Sequence, residues 1–154
     1  MNRCLCPAVA LDHCYHIETS NSVCVSQRGK SFILEGDVVF TCWVFVVDDG
    51  LLKHATYSRR CDYGLYVKEN DSAYLIELKG KFINDAIQQI NATINLLRPL
   101  LGNFSSVNAR IVAYQSTPRS IKYSLTKLDR LMRREFNGDL DWTAKNELIS
   151  KISI

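Results

Sequence analysis

Residues 61–81 read CDYGLYVKENDSAYLIELKGK, and this stretch places three charged side chains around one short β-hairpin. Its second half, AYLIELKG, is apolar until it reaches Glu77 and Lys79, which are two positions apart and therefore share a face of a strand. Asp62 stands at the beginning of the first half. A hairpin across this stretch predicts that two carboxylates and an ammonium group emerge together at one of its ends.

A two-residue turn at Asn70-Asp71 would set the pairing of the two strands. On that register Asp62 lies directly opposite Lys79, and Gly64 lies opposite Glu77. The other face of the hairpin is then apolar throughout, which supports the assignment. That face consists of Tyr63, Leu65 and Val67 on the first strand and Tyr74, Ile76 and Leu78 on the second.

The three charges are suited to metal-dependent hydrolysis. Two carboxylates that share a site repel each other unless a cation is present, and Lys79 alone neutralises only one of them. Mg²⁺ commonly uses one or two carboxylates together with waters and substrate phosphate oxygens. Such an ion polarises a phosphoryl group and lowers the pKa of a coordinated water, so Asp62, Glu77 and Lys79 are candidates for cleaving a phosphodiester. The alternative is a surface ion pair between Asp62 and Lys79, worth about 0.2–1 kcal/mol.

The chain on either side of this hairpin predicts an α/β domain. Residues 38–47, VVFTCWVFVV, form a continuous apolar run typical of a strand buried on both faces. The turn DDG at 48–50 allows LLKHATY to return as a second strand. After the hairpin, an apolar stripe at helical spacing predicts a helix that Pro99 and Gly102 end. The stripe consists of Ile83, Ala86, Ile87, Ile90, Ile94 and Leu97.

The last third of the chain predicts one more strand and two helices. The strand covers residues 109–115, ARIVAYQ, and a crossover helix should make it parallel to AYLIELKG in the same sheet. Residues 125–136 have helical periodicity closed by Asn137-Gly138, and a last helix is predicted over 142–152. The expected architecture is a mixed sheet, an antiparallel meander plus a parallel strand, flanked by helices.

The bulk properties predict one domain over residues 1–154. Within it we expect an N-terminal Cys/His-containing segment at 1–34, a core at about 38–115 and C-terminal helices at about 124–153. No run of twenty apolar residues is present, so we expect no membrane span. The N-terminal apolar run is too short for a signal peptide, and cysteines without such a signal indicate reduced thiols and a cytoplasmic location.

Six cysteine and histidine side chains lie close together near the N-terminus. Zinc sites usually take four such ligands from two regularly spaced pairs. The C-x-C and H-C-x-H spacings here are irregular, which favours incidental thiols over a zinc ion at Cys4, Cys6, Cys14 and Cys24. The cluster consists of Cys4, Cys6, His13, Cys14, His16 and Cys24.

Asp62 followed by Glu77-Leu78-Lys79 at the end of the next strand, then by an amphipathic helix and another strand, resembles the PD-(D/E)xK nuclease superfamily. The resemblance covers about residues 38–115 and implies a restriction-endonuclease-like fold. It also implies that Asp62 and Glu77 hold Mg²⁺ or Mn²⁺ with the backbone carbonyl of Leu78. Lys79 would then assist the attacking water.

The sequence departs from the pattern of that superfamily at two positions. Cys61 stands where a proline often precedes the aspartate. No clear helix with a glutamate precedes the first strand, and Glu35 is a weak candidate for that role as a metal ligand. Some members carry a glutamine on the helix after the motif, and Gln89 is in a suitable position to take that place.

Several basic side chains are candidates for binding nucleic acid. Arg59, Arg60 and Lys81 flank the proposed site and could contact phosphates, or they could form a solvated bend. Lys127, Arg130 and Arg134 make a basic stripe on the second helix. Phosphate contacts of this kind give affinity without sequence preference, and a solvated outer helix face is the alternative.

The resemblance implies a metal-dependent endonuclease that hydrolyses DNA, works as a homodimer and serves repair, recombination or defence. The main alternative is a non-catalytic nucleic-acid-binding or assembly module that keeps the fold but not the chemistry. A zinc-stabilised interaction protein is a third possibility. These functions differ in metal dependence, because only the first requires Mg²⁺ or Mn²⁺ for its activity.

Overall fold

The computed structural model describes residues 15–48, 60–79, 82–113 and 119–154. Within these ranges the chain forms a single domain with a seven-stranded mixed sheet and two long helices. The strands are β1 (Tyr15–Gln27), β2 (Lys30–Val46), β3 (Tyr63–Val67), β4 (Ser72–Lys79), β5 (Ser106–Ala113), β6 (Leu140–Thr143) and β7 (Glu147–Ile152), and the helices are α1 (Ile83–Leu101) and α2 (Arg119–Phe136).

The strands follow the order β1-β2-β3-β4-β5-β6, and β7 lies beside the first half of β2. The pairs from β1 to β4 are antiparallel, whereas β5 is parallel to β4 and β6 is parallel to β5. Helix α1 is the crossover between the parallel strands β4 and β5, as such a connection requires. The predicted α/β class and mixed sheet are therefore confirmed.

Strand β2 is longer than predicted and bends at Gly36. A Cβ atom at Gly36 would lie 2.7 Å from Cδ1 of Phe40 and 2.8 Å from the carbonyl oxygen of Val38, so only glycine fits this close approach. The first half of β2 turns over the face of the sheet, where Phe32 contacts Tyr74 with ring centroids 6.2 Å apart. As a result, β7, the second half of β1 and the first half of β2 cover one side of the central strands.

The central strands β3 and β4 are buried on both faces because the two sides of the sheet carry separate apolar cores. Alternate residues such as Leu75 pack towards α1 and α2. The intervening residues, such as Ile76 and Leu78, pack under the curled part of β2. The predicted apolar face of the hairpin is confirmed on this second side.

The two long helices agree with the sequence prediction. The apolar stripe of α1 is buried, but α1 continues to Leu101, with Pro99 inside its last turn. Burial of Leu101 outweighs the one hydrogen bond that a proline removes there. Helix α2 ends at Phe136, and Asn137 follows with a left-handed φ of 52°. Across the described residues, neither helix is long and apolar enough to cross a membrane.

The predicted helix over residues 142–152 is wrong, since β6 and β7 occupy this part of the chain. Leu148 and Ile152 are four positions apart, as in a helix, but Leu148 and Ser150 are both buried while Ile149 and Lys151 are exposed. That alternation has the period of a strand. The predicted return strand LLKHATY lies outside the described residues.

Candidate active site at the end of the central hairpin

The pairing of β3 with β4 differs from the predicted register by two residues. The turn spans residues 68–71 instead of two residues, and Tyr63 pairs with Ile76. Continuing this register places Asp62 across from Glu77 and not across from Lys79. A shift by two residues leaves every side chain on its predicted face. The prediction of a charged end to the hairpin therefore holds, but the two carboxylates are the residues that face each other.

The wider turn exists because its residues bind other parts of the chain. The carboxylate of Glu69 accepts the backbone N–H of Thr41 at 2.9 and 3.0 Å, so Glu69 does not pair with Ser72. The carboxylate of Asp71 accepts the N–H and the hydroxyl of Ser105 at 2.9 and 2.7 Å. These contacts connect the turn to β2 and to the segment before β5.

Asp62 binds β4 on both sides of Glu77. Its backbone N–H donates to the carbonyl oxygen of Ile76 at 3.0 Å, and its Oδ2 accepts the N–H of Leu78 at 2.8 Å. Its own carbonyl oxygen accepts the N–H of Val47 at 2.9 Å. The Asp62 carboxylate thus accepts a hydrogen bond that a backbone carbonyl of a neighbouring strand would normally accept. This contact holds the carboxylate beside Glu77.

Glu77 is the buried member of the pair, with only 1% of its surface exposed. By strand alternation it shares the helix side of the sheet with Leu75, and its backbone pairs with Ile111 of β5. Burying a carboxylate is unfavourable unless opposite charge or hydrogen bonds compensate it. Two adjacent acids at this position could share a bound cation.

Lys79 is the last residue of β4, and its backbone pairs with Ala113. This puts its Cα two positions beyond Glu77 on the same strand. The side chain of Lys79 lies outside the described part of the structure, so its catalytic role stays a prediction.

Cys61 precedes Asp62 and is completely buried. Burial raises the pKa of its thiol far above the ordinary value, the hydrogen bond with Thr93 lowers it, and the charges of Glu77 and Asp62 raise it further. A thiol that stays protonated is a poor nucleophile. Cys61 is therefore a packing residue.

Thiol labelling should separate these cysteines. Cys24 is exposed on β1, and partial burial and the charges of Glu147 and Glu18 raise its pKa. Burial raises the pKa of Cys42 to about 12 and that of Cys61 even further, and both thiols are inaccessible in the folded protein. Because alkylation requires the thiolate, we expect iodoacetamide near neutral pH to modify Cys24 in the folded protein and to modify Cys42 and Cys61 only after unfolding. Peptide mapping by mass spectrometry measures this. Equal labelling of Cys24 and Cys61 in the folded state would contradict the described packing.

Helix α1 holds the segment that carries Asp62. The hydroxyl of Thr93 accepts the N–H of Cys61 at 2.8 Å and donates to the carbonyl oxygen of Gln89 at 2.8 Å. The Nε2 of Gln89 donates to the carbonyl oxygen of Arg60 at 2.9 Å, and its Oε1 is buried without a hydrogen bond to any described residue. Thr93 was not predicted as a site residue. Its position within the apolar stripe of α1 could have indicated a buried polar contact.

Replacing Thr93 with valine should lower the free energy of unfolding by about 1–3 kcal/mol, because the buried N–H of Cys61 loses its acceptor. Thr93→Ser is the matched control, since it keeps the hydroxyl and loses only a methyl group. Urea denaturation measures both variants. If Thr93→Val were as stable as Thr93→Ser, the hydrogen bond to Cys61 would not be what holds this segment.

The remaining predicted site residues are distributed over several places. Arg60 forms an ion pair with Asp48, with Nε 3.0 Å from Oδ1, and Arg59 and Lys81 lie outside the described residues. The basic residues Lys127, Arg130 and Arg134 lie on α2 beside a groove against α1, not at the hairpin. Of the predicted thiol cluster, Cys24 lies on β1, and Cys4, Cys6 and Cys14 are not among the described residues.

Glu35 lies in the first half of β2 and not at the hairpin, and its role as a metal ligand stays a prediction. Its backbone pairs with Ser22 of β1 and Lys151 of β7 in the first half of β2. Because β2 bends at Gly36, this half lies over the sheet face opposite to the one that carries Glu77. The apolar core beneath β2 separates the two glutamates.

The donor set at the hairpin fits a hard divalent ion. Within the described residues no three His, Cys, Asp or Glu side chains form a metal-binding group, and Asp62 and Glu77 supply two carboxylates. Mg²⁺ needs no more than one or two carboxylates when waters and phosphate oxygens complete its coordination. Oxygen ligands without histidine or thiolate favour Mg²⁺ or Mn²⁺ over zinc.

No protein-family model, curated protein or solved structure matches this chain. The fold defines it as a single-domain α/β protein with a mixed sheet. Its function has to be inferred from its own residues and their geometry.

Proposed function

We propose that this protein is a metal-dependent endonuclease that hydrolyses phosphodiester bonds in DNA. The observation that carries the proposal is the contact of Asp62 with the residues on both sides of buried Glu77, which joins two carboxylates at the end of β4. The order of three antiparallel strands, a crossover helix and a parallel strand supports it, because the PD-(D/E)xK superfamily has that order. Lys79 lies two positions beyond Glu77 on β4.

Asp62, Glu77 and the carbonyl of Leu78 would hold Mg²⁺ or Mn²⁺. When bound, such an ion lowers the pKa of a coordinated water and neutralises charge on the phosphate. Asp62 and Glu77 would hold the reacting groups in place, and Lys79 would assist the attacking water. The water oxygen bonds to phosphorus, one P–O bond to a neighbouring sugar breaks, and the two water protons go to the leaving oxygen and to solvent.

The biological setting is proposed by resemblance alone. Members of the superfamily serve DNA repair, recombination and defence, and small members commonly work as homodimers that place two sites on two strands. We propose a homodimer for this chain on the same grounds, and a cytoplasmic location from its cysteines. Sedimentation velocity of the purified protein measures the oligomeric state.

A cleavage assay tests the enzyme proposal. Supercoiled plasmid and labelled single-stranded and branched DNA are incubated with Mg²⁺, Mn²⁺ or EDTA. We expect metal-dependent cutting by the wild type and none by Asp62→Asn, whose amide oxygen can still accept the N–H of Leu78. Asp141→Asn is the control, because Asp141 is exposed on β6 and bonds only the N–H of Trp142 within the described residues.

Absence of cutting on every DNA substrate and on RNA would reject the enzyme. A non-catalytic nucleic-acid-binding module would then be the better description. Cutting that survives in Asp62→Asn would instead reject the assignment of the site.

A further inference from the structure

A groove of about 1050 Å³ runs between α1 and α2 on the outer side of the helix layer. Ligand-binding clefts typically measure about 300–1,000 Å³, so the volume of this groove is at the upper end of that range. Ile87, Leu128 and Leu131 contribute its apolar part, and the rest of its lining is mostly polar. The helix contact that forms the core therefore leaves an open channel above it, which polar and apolar side chains line together.

The α1 side of the groove is a row of amides. Asn84, Gln88, Asn91 and Asn95 follow the spacing i, i+4, i+7 and i+11, so they form one stripe along the helix. Amide side chains donate and accept hydrogen bonds, and they bind phosphate oxygens as well as base edges. The stripe carries no charge and extends over about 17 Å of helix.

The α2 side carries four cations, Lys122, Lys127, Arg130 and Arg134. All four are exposed, and none forms an ion pair with another described residue.

Two further basic side chains that the structure describes on these helices, Arg98 and Arg133, are neutralised by acids. Arg133 pairs with Asp129 on α2, with Nε 2.8 Å from Oδ2. Glu135, the acid that lines the groove, pairs with Arg98 of α1. The positive charge of this surface is therefore concentrated where the groove is.

The groove begins near the sheet edge that carries the two carboxylates. Both helices follow parallel strands, so their N-termini lie at the edge where β4 and β5 end. The ion pair between Arg98 and Glu135 joins their C-terminal ends, which confirms that the helices run side by side. Asn84 and Lys122 therefore mark the end of the groove at that edge.

We propose that the groove between α1 and α2 binds single-stranded nucleic acid, with the four cations on its phosphates and the amide stripe on its bases and sugars. The amides of α1 and the cations of α2 lie on opposite sides of the groove, which suits a single strand that exposes both its bases and its phosphates. Tyr123 lines the groove with 72% of its surface exposed and provides a ring on which a base stacks. This binding goes beyond the nuclease activity and does not depend on it.

Fluorescence anisotropy with a short fluorescein-labelled oligothymidylate in EDTA tests the groove. Each phosphate contact changes the slope of log affinity against log salt by about 0.7, which is about fivefold in affinity at roughly 0.1 M salt. We expect Lys127→Ala/Arg130→Ala to weaken binding about 25-fold and to lower the slope by about 1.4. Arg133→Ala/Lys145→Ala removes the same net charge away from the groove and should leave binding within about twofold.

Three outcomes would overturn the proposal. The wild type could fail to bind the oligonucleotide, or the two double variants could lose affinity equally, which would indicate only a general effect of net charge. The third outcome comes from competition with a duplex or with polyglutamate of equal charge. If either displaced the oligonucleotide as efficiently as unlabelled single-stranded DNA does, the groove would have a different occupant. Because EDTA removes divalent metal, none of these results depends on whether the carboxylate pair cuts DNA.

Discussion

Replacing Glu77 with glutamine is expected to reduce metal-dependent DNA cleavage by at least about 100-fold while leaving the fold intact. Loss of a group that only supports a metal ligand costs about 10–100-fold, so loss of a ligand itself should cost more. Glutamine has nearly the same shape and removes a buried negative charge next to Asp62. The melting temperature should therefore change little, because glutamine keeps the size and shape of the side chain.

A large loss of cleavage without a loss of stability would distinguish a catalytic role of Glu77 from a structural one. Glu69→Gln is the matched control, since Glu69 lies at the turn end of the same hairpin and its amide form still accepts the N–H of Thr41. Cleavage rates are measured on plasmid with Mg²⁺, and thermal unfolding is followed by circular dichroism. A Glu77→Gln protein that melts well below the wild type would show that this carboxylate serves the fold.

Replacing Gly138 with alanine is expected to destabilise the protein by about 3 kcal/mol or more. A Cβ at Gly138 would lie 1.8 Å from the carbonyl oxygen of Val107 and 2.5 Å from its carbonyl carbon, and backbone atoms of a central strand cannot move aside cheaply. The turn after α2 passes directly over β5 at this point. The melting temperature should fall by about 6–12 °C for a domain of this size.

Gly102→Ala provides the control for this substitution. Gly102 follows α1 with a φ of −63°, and the nearest atom to an added Cβ is the carbonyl oxygen of Arg98 at 3.8 Å. Alanine there should be neutral or slightly stabilising, because it restricts the unfolded chain. Equal stability of Gly138→Ala and the wild type in urea would contradict the close passage over β5.

Local periodicity is sufficient to predict the parts of the fold that pack against their own neighbours. The stripe of α1 and the faces of the β3–β4 hairpin follow from spacings of three to four and of two residues. The parallel pairing of β5 with β4 follows from the helix between them. Asp62 and Glu77 were placed at one end of the hairpin for the same reason, since alternation alone determines the face of each side chain.

Contacts between distant parts of the chain account for what could not be predicted. The exact register depends on Glu69 and Asp71, which bind Thr41 and Ser105 at sequence separations of 28 and 34. The strand β7 forms because β2 offers it a partner 116 positions away, although its own residues also fit a helix. Local propensity is weak enough for such pairing to override it.

The sequence by itself therefore determined the class of fold, the charged end of the hairpin and the residues that the proposed chemistry uses. Only the tertiary structure decided that Asp62 faces Glu77, that Glu35 lies on the far side of an apolar core, and that the cations of α2 face the amides of α1. The physical reason is the range of the interactions. Side-chain alternation acts over a few residues, whereas register, bends and helix packing depend on hydrogen bonds and burial between segments far apart in the chain.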